Sequence, residues 1–125
     1  MKLLVTGSRD YTDRAAVVQA MKHAWQQTPA DDRLTIIHGC DGGVSLIVHP
    51  IALENFDLRI DLVALPAKFS IHGDRAEEVR NRQMVDAADE CFAFLGATAP
   101  SSPQRVNVNQ IIEMCAERQI PVTTF

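Results

Sequence analysis

Five short apolar runs, separated by four stretches whose apolar residues recur at helical spacing, restrict what this chain can fold into. The runs lie at Lys2 to Gly7, Leu34-Thr35-Ile36-Ile37, Arg59 to Leu65, Cys91-Phe92-Ala93-Phe94-Leu95 and Pro121 to Phe125. Between them, Val17, Ala20, Met21 and Ala24 share one helical face, as do Val44, Ile47, Val48 and Ile51, then Ala76, Arg80, Met84 and Ala88, and finally Val108, Ile111, Ile112 and Cys115. Strand and helix in strict alternation build right-handed βαβ units, which place the strands parallel and the helices on both faces of the sheet. Runs with little polar alternation suit strands covered on both sides. The expectation is an α/β fold: a single three-layer, Rossmann-like domain over residues 1–125, with five parallel strands and four helices. Thr12 or Asp13 is placed to cap the first helix, and Pro50 is expected to kink or shorten the second. Glu77 and Glu78 are spaced to support Arg82 on the third, expected over 74–88.

Such a sheet gathers every strand-to-helix turn on one edge, where ligands bind. Gly7-Ser8-Arg9 ends the first strand with backbone donors, a hydroxyl and a guanidinium, a set suited to phosphate or carboxylate. The plainer alternative is a turn glycine followed by a surface arginine. His38-Gly39-Cys40-Asp41-Gly42-Gly43 holds three of the six glycines and allows main chain to approach a ligand closely. It matches neither GxGxxG nor GxxxxGK[ST], which argues against a dinucleotide grip and a nucleoside triphosphatase. Lys68 to His72 and Gly96 to Ser102 supply the other two edge loops. Arg80 shares a stripe with Ala76 and Met84, so it requires an anionic partner, either a ligand or a nearby Asp or Glu.

A net charge of −4 and a pI near 5.5 argue against nucleic acid as partner. No apolar run is long enough to span a bilayer, and the single lysine before a four-residue apolar run is neither a signal nor a transit peptide. The expected location is the cytoplasm. Cys40, Cys91 and Cys115 show no CxxC spacing, and His23, His38, His49 and His72 no ligand spacing, so no metal and no cofactor is expected. Cys91 and Cys115 fit the core; Cys40, in the glycine turn, is the accessible thiol.

Taken together, Val5 to Tyr11, Ile36-Ile37-His38-Gly39 with Gly43, Pro66-Ala67 through Gly73, Arg80-Asn81 with Met84, and Ile120-Pro121-Val122 resemble the SLOG superfamily. That group is named for the Smf/DprA DNA-processing proteins and the lonely-guy enzymes, and the likeness is to its short YspA/YpsA-related branch, common in bacteria, phages and mobile elements. The resemblance implies strand order 3-2-1-4-5, a homodimer or higher homo-oligomer, and a nucleotide-like ligand. Its implied ligand-binding set is Gly7, Ser8, Arg9, Tyr11, His38, Gly39, Gly42, Gly43, Lys68, Arg80, Asn81, Gly96 and Thr98. Trp25, Val18, Leu53 and Phe56 are apolar residues off the core stripes and fit an interface.

The chain departs from that family at three places. Ser45 stands where the family tends to have Asp, Glu77 where it tends to have Gly, and Gly96-Ala97-Thr98-Ala99-Pro100 replaces a Gly-Gly-x-Gly-Thr turn. The lonely-guy catalytic glutamate falls near Pro103, where no acid stands, and Glu113 lies well into the last helix. The expected function is therefore sensing or sequestration of a phosphorylated nucleotide-derived molecule, such as an ADP-ribose-type or cyclic nucleotide signal, without turnover. The alternative is a nucleoside-monophosphate phosphoribohydrolase cleaving an N-glycosidic bond, with Asp41 and Arg80 as the candidate catalytic residues. A DprA-like nucleic-acid module ranks third.

Overall fold

The structure is a computed structural model that describes residues 1–55 and 58–125. Strands β1 (Lys2–Gly7), β2 (Leu34–His38), β3 (Ile60–Ala64), β4 (Glu90–Phe94) and β5 (Val122–Thr124) form one sheet of order β3-β2-β1-β4-β5. Every pairing is parallel, with Leu4 opposite Ile37 and Cys91. Helices α1 (Arg14–Gln27) and α2 (Val44–Glu54) cover one face; α4 (Ala76–Ala87) and α5 (Val106–Glu117) cover the other. A single turn, α3 (Phe69–His72), and a 3-10 turn at Gly73–Arg75 lead into α4. The expected fold and strand order are the ones observed, with four long helices among the described residues.

The twofold period of a strand divides the core. Leu3 and Val5 join Ile36, Phe92, Phe94 and the α1 stripe on one side. Leu4, Ile37 and Cys91 join Met84, Ile111 and Cys115 on the other. Each large side chain taken out of water in these layers contributes about 1.5–3 kcal/mol, which is why the central strands are apolar on both faces. Asp13 is the cap of α1, its Oδ1 accepting from the Ala16 amide at 3.1 Å.

Several local expectations are corrected. Helix α2 runs on past Pro50 to Glu54. The carbonyl that Pro50 cannot serve belongs to Leu46, a residue 74% exposed, so water can take the missing donor's place. Glu78 lies 3.7 Å from Arg82 as expected, but Glu77 turns to Arg9 instead. Trp25 is half-buried, its Nε1 donating to the Leu58 carbonyl at 2.6 Å, and with Val18 it lines a surface groove between α1 and α2. Phe56, expected to extend that surface, lies outside the described residues. No helix among the described residues is long and apolar enough to cross a membrane.

Candidate functional site

The turn after β1 is stitched to β4 before it reaches any ligand. A Cβ on Gly7 would sit 2.6 Å from the Phe94 carbonyl, so only glycine allows the two strands to close there. Ser8 is fully buried: its amide donates to the Phe94 carbonyl at 3.0 Å and its hydroxyl to the Leu95 carbonyl at 3.2 Å. Ser8 is thus a structural tie between strands, not the open hydroxyl its position suggested. Arg9 emerges from the turn. Its Nη2 donates to Asp41 Oδ1 at 3.1 Å and to Glu77 Oε1 at 2.6 Å, and the hydrogen bond to Asp41 is the main reason its pKa lies above the ordinary arginine value.

Beneath Arg9 lies a buried polar network that joins the glycine turn to α4 and α5. Arg80 is 3% exposed; its Nε donates to Asn81 Oδ1 at 2.8 Å, its Nη1 to the Gly39 carbonyl and its Nη2 to Asn107 Oδ1 at 3.4 Å. Asn81 donates from Nδ2 to Asn107 Oδ1 at 2.7 Å and to Gln110 Oε1 at 2.8 Å, and Asn107 donates in turn to Asp41 Oδ2 at 2.6 Å. Arg80 Nη2 also lies 3.8 Å from Asp41 Oδ1. Of the two partners open to Arg80, it has the internal acid, reinforced by amides and a carbonyl. A Cβ on Gly39 would fall 2.9 Å from the Arg80 guanidinium, so a side chain there would push Arg80 from its place. Arg80 and Asn81 therefore support the site from below, and both oxygens of Asp41 are engaged.

His38 belongs to a separate arrangement. It is buried at the end of β2, with Nδ1 accepting from the Cys40 amide at 3.1 Å and Nε2 2.8 Å from His49 Nδ1. The first bond puts the proton of the neutral ring on Nε2, which donates to His49. Burial, and then the neighbouring His49, lower the His38 pKa to about 4. Cys40 is exposed, while Cys91 and Cys115 are buried. Lys68 is exposed beyond β3, two strands away from β1, and does not join the other candidates.

The open space lies where the strand order reverses, between β1 and β4. A cleft of about 660 Å³ is lined by Asp10 to Asp13 from the turn after β1, by Leu95 to Thr98 from the turn after β4, and by Ala16 and Phe125. Tyr11 forms its floor, packed on Phe94 with ring centroids 5.4 Å apart, and burial together with the Asp13 charge raises its pKa. Thr98 Oγ1 donates to Asp10 Oδ1 at 2.9 Å across the cleft, and its carbonyl accepts from Arg105 at 3.0 Å. Gly96, at φ 58°, sits against the Tyr11 ring. The structure thus brings together Tyr11, Gly96 and Thr98 of the expected set; Arg9, the residue before Asp10, does not line this cleft and turns to Asp41 and Glu77. Among the described residues no group of three His, Cys, Asp or Glu is placed to hold a metal ion.

Asn107, Gln110, Glu77, Asp10 and Asp13 were not read as site residues from the sequence. Asn107 carried a usable signal: it precedes Ile111 and Met114 at i+4 and i+7, so a polar residue occupies a core position of α5.

Gene 61 protein of Mycobacterium phage D29 is 34% identical to this chain over 98 residues, covering 74% of this chain and 75% of the phage protein. The chain belongs to the family of that phage protein. A phage source agrees with the phage and mobile-element character expected of the chain's relatives. No family model matches the chain, and no solved structure matches it. The name of the phage relative states no activity.

Proposed function

We propose that this protein is a SLOG-type binding module that holds a phosphorylated, nucleotide-derived small molecule at the carboxyl edge of its sheet, as a sensor or sequestering protein, without turning it over. The observation that carries the reading is the cleft of about 660 Å³ at the reversal of strand order, the place where open parallel sheets bind their ligands. That volume suits a nucleoside. The Tyr11 and Phe125 rings offer an aromatic surface for a base, and the carboxylates of Asp10 and Asp13 suit ribose hydroxyls. Arg9, next to Asp10, supplies the charged donor that a phosphate takes.

Binding is favoured over N-glycosidic hydrolysis because hydrolysis requires a carboxylate free to reach the reacting atom. Asp41 is held by Arg9 and Asn107, Asp10 accepts from Thr98, Asp13 caps α1, and Pro103 opens a 3-10 turn. Glu113, expected to be buried in the last helix, is exposed on α5 instead. The net charge of −4 also disfavours a nucleic-acid strand.

The test is a thermal-shift screen with AMP, ADP-ribose and cyclic dinucleotides, followed by heat denaturation and chromatography of the supernatant. The expected result is stabilisation by at least one nucleotide and its recovery intact. Arg9→Ala should weaken that binding by about 1.5–3 kcal/mol while costing the fold under about 1 kcal/mol, because both its ion pairs are partly exposed. Release of free base and ribose phosphate would establish hydrolysis, and Asp41→Asn and Asp10→Asn would show which carboxylate performs it.

A further inference from the structure

Arg9 is held by two carboxylates, and they are anchored differently. Asp41 has a second donor in Asn107 at 2.6 Å, lies 3.8 Å from Arg80, and has a side chain only 18% exposed. Glu77 is 38% exposed, and among the described residues its side chain is bonded to Arg9 alone. Both bonds end on Nη2, which carries two protons. Both two-bond grips that a guanidinium offers an oxyanion, Nε with Nη2 and Nη1 with Nη2, use that nitrogen. One carboxylate must therefore let go before an incoming anion can take a full two-bond grip.

Charge decides which one leaves. With both carboxylates in place, Arg9 and Arg80 balance Asp41 and Glu77. Losing Asp41 would leave Asn107 without its acceptor and the buried Arg80 without its nearest carboxylate, whereas losing Glu77 only returns an exposed side chain to water.

We infer that Glu77 is an affinity-determining residue of an anion site at Arg9, the residue before Asp10 of the crevice: its carboxylate occupies the place of the ligand's anionic group on Arg9 and is displaced when a phosphate binds, while Asp41 stays and keeps the guanidinium aimed. This deepens the proposed function and rests on the crevice being the ligand site. A phosphate entering at Arg9 restores the local balance that the departing Glu77 removes, so the exchange is close to charge-neutral for a monoanion.

The experiment titrates inorganic phosphate, AMP and adenosine into the full chain while following the Arg9 Nε–Hε resonance and the Glu77 amide by NMR. In the native protein, phosphate and AMP should shift both signals. Glu77→Gln, which keeps the shape of the side chain and removes its charge, should lower the half-saturating concentration of phosphate and AMP by about three- to tenfold. Adenosine binding should not change. Equal half-saturation in the two proteins, or no response of Arg9 to phosphate in either, would overturn the inference. A phosphate response sharpened by Glu77→Gln, with neither AMP nor adenosine bound, would uphold the displacement and overturn the nucleotide reading instead.

Discussion

Gly42 and Gly43 are neighbours with different reasons for being glycine. Gly43, at φ 50°, would place a Cβ 2.4 Å from the Ser8 carbonyl, so the glycine turn and the β1 turn can touch only without a side chain. Gly42, at φ 76°, would meet nothing within 4 Å. Gly43→Ala should therefore cost about 3 kcal/mol or more, from backbone clash added to a left-handed φ, and Gly42→Ala about 1 kcal/mol from φ alone. Denaturant midpoints of the two variants measure the contrast directly. His38 makes a second residue-level claim. Its folded pKa, about 4, lies below the unfolded value, so the unfolded chain binds the extra proton first as pH falls. Stability should be unaffected by this group above about pH 6.5 and decline between there and pH 4, by about 3 kcal/mol at the lower end. Unfolding curves across that range should show a shallower decline in His38→Gln than in the native protein.

At the scale of elements, α4 and α5 are joined to the glycine turn by polar contacts as well as by the apolar layer. Arg80 reaches Gly39, Asn81 and Asn107, and through Asn107 the last long helix reaches Asp41. Arg80→Ala leaves a buried carbonyl and two amides short of a donor, and removes the nearest buried cation from Asp41. A loss of about 3 kcal/mol is expected, with no rescue by Arg80→Lys, whose single ammonium cannot serve partners in three directions. Chemical denaturation of both variants checks this. An unchanged midpoint in Arg80→Ala would mean that water fills the vacated space at no cost.

For the whole molecule, the crevice follows from topology. Strand order 3-2-1-4-5 leaves a gap above the β1 and β4 junction, and the chain lines it with the turns that happen to emerge there. The outer surface carries a second expectation. Leu46 and Leu53, seven residues apart on α2, are 74% and 56% exposed, and this surface fits the homodimer implied by the SLOG resemblance. Light scattering of the native chain should show a concentration-dependent dimer, and Leu53→Glu should shift it toward monomer. A native chain that scatters as a monomer at all concentrations removes that part of the reading.

The periodicities of the chain, two in the strands and 3.6 in the helices, were enough by themselves to determine the alternation of elements, the parallel sheet and the faces that form the core. The stripes Val17, Ala20, Met21, Ala24 and Val108, Ile111, Cys115 are buried as their spacing requires, while Ile47, Ile51 and Ile112 are half-buried. Such patterns are local, and withdrawing an apolar face from water is the strongest force acting on each element taken alone. The assignment of polar side chains was a different matter. Ser8, Arg80 and Asn81 read as ligand groups because hydroxyl, guanidinium and amide have the chemistry to bind one, yet all three are spent inside the protein. Their partners, Leu95, Gly39 and Gln110, are between 29 and 87 residues away in the chain. A hydrogen bond is directional and short, so which donor meets which acceptor is decided only when the sheet and helices have brought distant segments together. The same holds for Glu77, five positions from Arg82 and so out of helical reach of it, which finds its partner in Arg9, 68 residues away in the chain.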